Sequence, residues 1–229
     1  MTESVLASAV LWDLDGTLVD SEGYWGLAER AMSARYPGEW THEDGLGLTG
    51  LSLPVSCQIM RDKMQIHDLT VDEIIQELTD GVLFHLEQGV NWRPGALELA
   101  TKLHRAGVRQ AIVTMSIRRM AEAVVRAAHE ATGLEIFTQV VAGDDVTNGK
   151  PHPEAYLLAA SGFGLNPRAC VAIEDSLNGL NSAEAAGTRA LCVPNVVAVE
   201  PKPGRNLWPT LVGVEPHHLN QLFTPNQNS

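Results

Sequence analysis

Between residues 96 and 193 short apolar runs alternate with segments of helical period, and this alternation constrains the fold more than any other feature of the chain. Runs at 109–114, 137–142, 169–173 and 189–193 read as strands, and segments 96–105, 117–128, 153–161 and 177–186 read as helices. In the second helix Ile117, Met120, Ala121, Val124, Val125 and Ala128 follow the i, i+3, i+4, i+7 rule. Ser176 stands where an N-cap belongs and Gly187 where a helix stops. Repeated strand–loop–helix units imply the α/β class, a parallel sheet with helices on both faces. The apolar run 5–14, broken by Asp-Leu-Asp-Gly-Thr, supplies a further buried strand at the start.

Between that first strand and the alternating region the period is helical throughout. Tyr24, Leu27, Ala28 and Ala31 share one face, as do Val71, Ile74, Ile75 and Leu78. Trp92-Arg93-Pro94-Gly95 punctuates the return to the sheet. The expected organisation is a core of residues 1–17 and 93–229 with an all-helical insertion over 18–92, which 229 residues accommodate as one large domain plus a smaller one. After Pro194 the breakers Pro201, Pro203, Gly204 and Pro209 leave room for a short strand at 211–214 and a helical turn at 217–223.

Lys plus Arg number 16 against 28 Asp plus Glu, a formal charge of -12, which disfavours nucleic acid and anionic membrane as partners. The acids crowd the start: Glu3, Asp13, Asp15, Asp20, Glu22 and Glu29 precede Arg30, the first basic residue. Cys57, Cys170 and Cys192 have no paired spacing and read as reduced core thiols of a cytoplasmic protein. No segment approaches the roughly 20 apolar residues of a membrane span. The eight histidines show no zinc spacing, and Asp144 and Asp145 read as turn residues more readily than as part of a metal's outer shell.

In an open parallel sheet ligands bind beyond the carboxyl ends of the strands. Asp13 and Asp15 end the first strand, Thr114 and Ser116 follow the next, the Gly143-to-Pro151 loop carries Lys150, and Glu174, Asp175 and Ser176 follow another. Asp13, Asp15, Glu174 and Asp175 offer an oxygen-only ligand set, which suits Mg²⁺. Lys150 between Gly149 and Pro151 is a point charge for a phosphoryl group, and Thr114 with the amides of Met115 and Ser116 is suited to anionic oxygens.

These segments together resemble the haloacid dehalogenase superfamily: Asp13-Leu-Asp-Gly-Thr-Leu-Val-Asp-Ser-Glu, Thr114, Lys150-Pro-His-Pro-Glu and Ile173-Glu-Asp-Ser-Leu-Asn-Gly look like its four ordered motifs. The resemblance implies a Rossmann-like core with an inserted helical cap. It implies that Asp13 is the nucleophile forming an aspartyl-phosphate and that Asp15 is the acid and base. Thr114 and Lys150 would then bind phosphoryl oxygens, while Asp13, the Asp15 carbonyl, Glu174 and Asp175 would hold Mg²⁺. The dehalogenases proper replace the second aspartate, so dehalogenation is not expected. The chain is similar to the beta-phosphoglucomutase-like branch, but Trp25 stands where that branch has a cap histidine and Leu53 where it has an arginine. Those departures favour hydrolysis of a small phosphorylated metabolite, such as a sugar phosphate, over phosphotransfer. A phosphotransferase of the beta-phosphoglucomutase type is the first alternative, and a non-catalytic binding protein the second. Glu22, Trp25, Gly50, Leu51 and Ser52 are the cap candidates for substrate contact, with Asp20 and Ser21 capping its first helix and hinges expected near 18–21 and 88–94. Both a monomer and a dimer are compatible with the sequence.

Overall fold

The structure is a computed structural model that describes residues 6–48 and 51–223. Six parallel strands form one sheet in the order β3-β2-β1-β4-β5-β6. They are β1 (Ala9–Trp12), β2 (Arg109–Val113), β3 (Gln139–Val141), β4 (Cys170–Glu174), β5 (Arg189–Cys192) and β6 (Asn206–Leu207). Every residue of β1 is buried because the strand lies mid-sheet, paired with β2 and β4 and covered on both faces. Its side chains alternate between the two layers. Val10 and Trp12 join a core with α5 (Ala96–Arg105) and α6 (Arg118–Thr132), while Ala9 and Leu11 join one with α7 (Glu154–Gly162) and α8 (Leu177–Ala186).

Register then places the chemistry. Trp12 pairs with Ile112 on one side and Ile173 on the other, so Asp13, Val113 and Glu174 leave the sheet at one level. By the same alternation Asp13 and Glu174 fall on the α7/α8 side, with Leu11 and Ala172.

Residues between β1 and α5 form a helical block: α1 (Glu22–Ser33), α2 (His42–Leu46), α3 (Leu53–Met64) and α4 (Val71–Glu87). Thr41 and Thr70 begin α2 and α4 with capping boxes closed by Asp44 and Glu73. Met32, Met60, Met64, Ile74 and Val82 fill the centre of the block. Its two connections to the sheet run side by side. Val19 and Trp92 bridge in antiparallel fashion, Asp20 N donates to Asn91 O at 2.8 Å, and Arg93 N donates to Leu18 O at 2.9 Å.

The expected helices recur within a few residues, and Ser176 and Gly187 cap α8 as the sequence indicated. Two strand expectations need correction. Only Gln139–Val141 of the 137–142 run pairs, as a short edge strand. Residues 211–214 are a turn closed by Val214 N donating to Leu211 O, and the last strand is β6 instead. Asn206–Leu207 take the free edge of β5, and Trp208 N extends the ladder to Cys192 O, so the edge is filled before the chain reaches Leu211. A 3₁₀ helix at Pro216–Phe223 matches the expected helical turn. The three cysteines are buried and unpaired, and no helix among the described residues is long and apolar enough to cross a membrane.

Leu211 is buried in the main apolar core, and its backbone lies against Gly95, the residue that starts α5 at φ +81°. A β-carbon there would come within 2.3 Å of Leu211 backbone atoms. Gly95→Ala is therefore expected to cost at least about 2 kcal/mol in denaturant unfolding, from the positive φ and the clash together. An unchanged midpoint would show that the 211–214 turn can move aside at no cost.

Candidate active site

The floor of the site is an ammonium between two carboxylates. Lys150 Nζ donates to Asp13 Oδ1 at 2.7 Å, to Glu174 Oε1 at 2.6 Å and to the Val113 carbonyl at 2.9 Å. All three side chains are buried. Glu174 Oε1 also accepts from the Tyr156 hydroxyl of α7. The backbone adapts to this cluster at two glycines. A β-carbon on Gly179 would lie 1.9 Å from Glu174 Oε2, and one on Gly16, at φ +80°, would lie 2.1 Å from Asp175 Oδ2.

Ligand oxygens of Asp13, Glu174 and Asp175 lie within 4.8 Å of one another, and among the described residues no other acid, histidine or cysteine joins such a group. Asp13 Oδ2 and Glu174 Oε2 are buried without a hydrogen-bond partner. Two orphaned carboxylate oxygens beside a third acid, with one lysine to offset them, fit a hard divalent cation. Burial and the Glu174 charge, offset in part by Lys150, push Asp13 up to about 7. Burial, with Asp13 and Glu174 adding to it, holds Asp175 well above the usual carboxylate range. Burial pulls Lys150 down, but Asp13 and Glu174 more than reverse it, so the ammonium stays charged.

Asp15 is the second acid of the first loop, and its carboxyl faces different partners. Oδ1 accepts from Ser21 Oγ at 2.6 Å and Trp25 Nε1 at 3.1 Å, while Oδ2 accepts from Ser116 Oγ at 2.7 Å and Thr114 Oγ1 at 3.2 Å. Two of these donors belong to the loop after β2 and two to the start of the helical block. Thr114 Oγ1 also accepts from Ser116 N at 3.0 Å, which fixes the loop. Met115 Sδ accepts from Lys150 N at 3.2 Å and ties the same loop to the lysine.

The structure thus brings Asp13, Asp15, Thr114, Met115, Ser116, Lys150 and Asp175 to one cleft of about 950 Å³, open to solvent, with Glu174 buried beneath it. The four carboxylates do not form one cluster, because the Asp15 side chain points to hydroxyls and an indole instead. Lys150 is committed to Asp13 and Glu174. Of the helical-block candidates, Glu22, Trp25 and Leu51 line the cleft. Ser52 starts α3 beside the Lys150 loop, 3.9 Å from where a Gly149 β-carbon would sit. Gly50 lies outside the described residues. Asp144 and Asp145 are turn residues, accepting from Arg118 N and Ala142 N.

Ser21 heads α1 but makes no side-chain cap, since its hydroxyl serves Asp15. The sequence left Tyr156 unmarked. Its signal was a hydroxyl-bearing aromatic in a helix whose other residues after Glu154 are small or apolar, where a buried phenol needs a partner. Glu29, which lines the cleft, and Trp40, which donates to it at 3.0 Å, were also missed, because a polar contact inside a helical block leaves no periodic trace.

The fold and this site define a doubly wound α/β enzyme whose acidic centre stands at the carboxyl edge of the sheet. The chain belongs to the haloacid dehalogenase-like hydrolases, whose family model matches residues 10–193. It is 31% identical over 195 residues to the protein CbbY of Cereibacter sphaeroides, covering 82% of this chain and 85% of that one. It is 35% identical over 194 residues to hexitol phosphatase A of Escherichia coli, covering 80% and 81%. The crystal structure of CbbY from Rhodobacter sphaeroides in complex with phosphate superposes with a TM-score of 0.80 at 29% identity, covering 90% of this chain and 96% of that one.

Asp13 sets a pH dependence. It titrates near 7 in the folded chain against 3.8 for a free carboxyl, so across that range the folded state holds a proton that the unfolded state has lost. That contribution to stability is present at low pH and disappears as pH rises through about 7. In chelator-treated protein, thermal unfolding is expected to shift downward between pH 5 and 8, and Asp13→Asn should flatten the decline. Parallel profiles for the two proteins would place the raised titration elsewhere.

Proposed function

We propose that this hydrolase is a Mg²⁺-dependent phosphatase that removes phosphate from a small phosphorylated metabolite through an aspartyl-phosphate on Asp13. The observation that carries this reading is the buried Asp13–Lys150–Glu174 array, with its two orphaned carboxylate oxygens, set directly below the cleft. The phosphatase named among its relatives points the same way.

In this reading Asp13, Glu174, Asp175 and the Asp15 backbone carbonyl hold Mg²⁺. When bound, the cation offsets the repulsion between a carboxylate nucleophile and phosphoryl oxygens. Lys150 favours the ionised form of Asp13 and aims it. An Asp13 carboxylate oxygen attacks phosphorus, the bond to the leaving oxygen breaks, and Asp15 passes its proton to that oxygen. Asp15 then takes a proton from water, whose oxygen attacks phosphorus and breaks the bond to Asp13, releasing inorganic phosphate. Thr114 Oγ1 with the Met115 and Ser116 amides would receive phosphoryl oxygens once Thr114 turns from Asp15.

Residues 18–92 would act as a cap on the 1–17 and 93–229 core, its paired connections at 18–20 and 91–93 working as a double hinge. Glu22, Trp25, Leu51 and Ser52 are its contacts toward substrate, and a cytoplasmic location fits this use of small metabolites.

The test is phosphate release from a panel of metabolite phosphates and an aryl phosphate, with Mg²⁺ or with chelator. Release should require Mg²⁺ and fall at least about 1000-fold in Asp13→Asn, the scale expected on losing a covalent nucleophile. Phosphate appearing on a second substrate position instead of in solution would replace hydrolysis by transfer. Metal-independent release, or full activity in Asp13→Asn, would overturn the mechanism.

A further inference from the structure

Above the carboxylates the cleft runs into the helical block, where its walls change character. Trp25, Leu53, Cys57, Met60 and Leu78 line it there, drawn from α1, α3 and α4. Besides Glu22 at the start of α1, one charged group interrupts this apolar lining. Glu29 lies one helical turn beyond Trp25 on α1, so both look along the same face. Its position is built: Trp40 Nε1 donates to Glu29 Oε2 at 3.0 Å, and a β-carbon on Gly45 would come within 2.5 Å of that oxygen. Burial raises its pKa above the usual carboxylate value, as enclosure of this kind does.

The cleft is short of positive charge. Among the described residues that line it Lys150 is the one cation, and its three donors already serve Asp13, Glu174 and Val113. Five acids share the lining: Asp13, Asp15, Glu22, Glu29 and Asp175. The sequence holds no Lys or Arg from Tyr36 to Met60, the stretch that supplies most of the upper wall. A second phosphate on a substrate would be desolvated there against carboxylates with nothing to pair it.

We infer that the leaving group carries no negative charge of its own, packs an apolar body against the Trp25–Met60 wall, and presents a hydroxyl or ammonium donor to Glu29. The substrate is then a monophosphate of a hydroxyl- or amino-bearing alcohol with an apolar face, such as a sugar ring, and bisphosphates are rejected. The inference rests on the phosphatase reading and adds to it the residue that reads the far end of the substrate. Discrimination of this kind is steep, since a buried acceptor left unpaired, or facing a like charge, costs more than a lost apolar contact.

The experiment compares kcat/KM with saturating Mg²⁺ for five esters: a hexose 6-phosphate, the matching 1,6-bisphosphate, 6-aminohexyl phosphate, n-hexyl phosphate and an aryl phosphate. At least one donor-bearing monophosphate should exceed the bisphosphate by about 100-fold, the scale at which sites built for polar groups discriminate. That ratio is read on the native chain and needs no variant. In Glu29→Gln, which keeps an acceptor for Trp40, the preference for the donor-bearing ester over n-hexyl phosphate should fall about 10-fold, as expected for loss of a charged hydrogen-bond partner. The larger loss between the hexose and aminohexyl esters identifies the hydroxyl or the ammonium as the group that is read. Comparable kcat/KM for bisphosphate and monophosphate, or an unchanged preference in Glu29→Gln, would overturn the inference while leaving phosphatase activity in place. Failure to hydrolyse any ester, the aryl phosphate included, would overturn both.

Discussion

A buried ammonium between Asp13 and Glu174 is the interaction on which the rest of the site depends. Taking one cation and three carboxylates out of water costs far more than one ion pair returns, and further partners of Lys150 and Glu174 help to hold the arrangement. Val113 supplies a carbonyl to Lys150, Tyr156 a hydroxyl to Glu174, and glycines at 16 and 179 let backbone close in where any side chain would collide. The strain that remains is electrostatic. It shows in the raised Asp13 and Asp175 and in two carboxylate oxygens with no donor. A fold that keeps this burden at the centre of its sheet edge is organised around whatever relieves it, and a divalent cation does so with the oxygen donors already present.

The sheet and its active edge were legible because their cause is local and periodic. Alternation of apolar runs with helical faces fixed the α/β class, and strand parity alone sends Asp13 and Glu174 to the same side of β1 and β4. Groups recruited across sequence were less legible. Tyr156 reaches Glu174 over a separation of 18 residues and Ser116 reaches Asp15 over 101, and nothing in either local pattern announces the partner. Ser21 shows the converse error, since a serine at a helix start has a good local use as a cap and the structure gives it another. The missed β6 has the same origin: which segment fills the open edge of β5 is decided by where the chain first comes into reach, and Asn206 arrives before Leu211.

Asp15 joins the two halves of the molecule. Thr114 and Ser116 hold its carboxyl from the sheet side, and Ser21 and Trp25 hold it from α1. The position of the helical block is therefore tied to the position of the second acid by two hydrogen bonds, over and above the paired connections at Leu18–Arg93 and Asp20–Asn91. A rotation of the block that broke the Ser21 and Trp25 contacts would free one oxygen of Asp15 while the sheet-side donors kept the other. The proton transfer proposed for Asp15 and the placement of the block are in this way parts of one geometry, and Trp25, packed against the core on one side, carries a polar tip into it.

The distribution of charge also fixes what must enter the cleft together. A phosphate dianion approaching Asp13 meets five carboxyl groups along the lining and a lysine whose ammonium is already neutralised by two of its neighbours. Repulsion from those that are ionised, about 4 kcal/mol for a pair of charges about 4 Å apart at an effective dielectric constant of about 20, opposes entry of the dianion. In the proposed phosphatase, divalent cation and phosphate would therefore be coupled at the level of binding, before any chemical step, and each should tighten the other by the same factor. On the same proposal the apolar, acid-tipped upper cleft would select among the esters that the cation admits, the lower half of the site recognising the phosphate and the upper half what is attached to it.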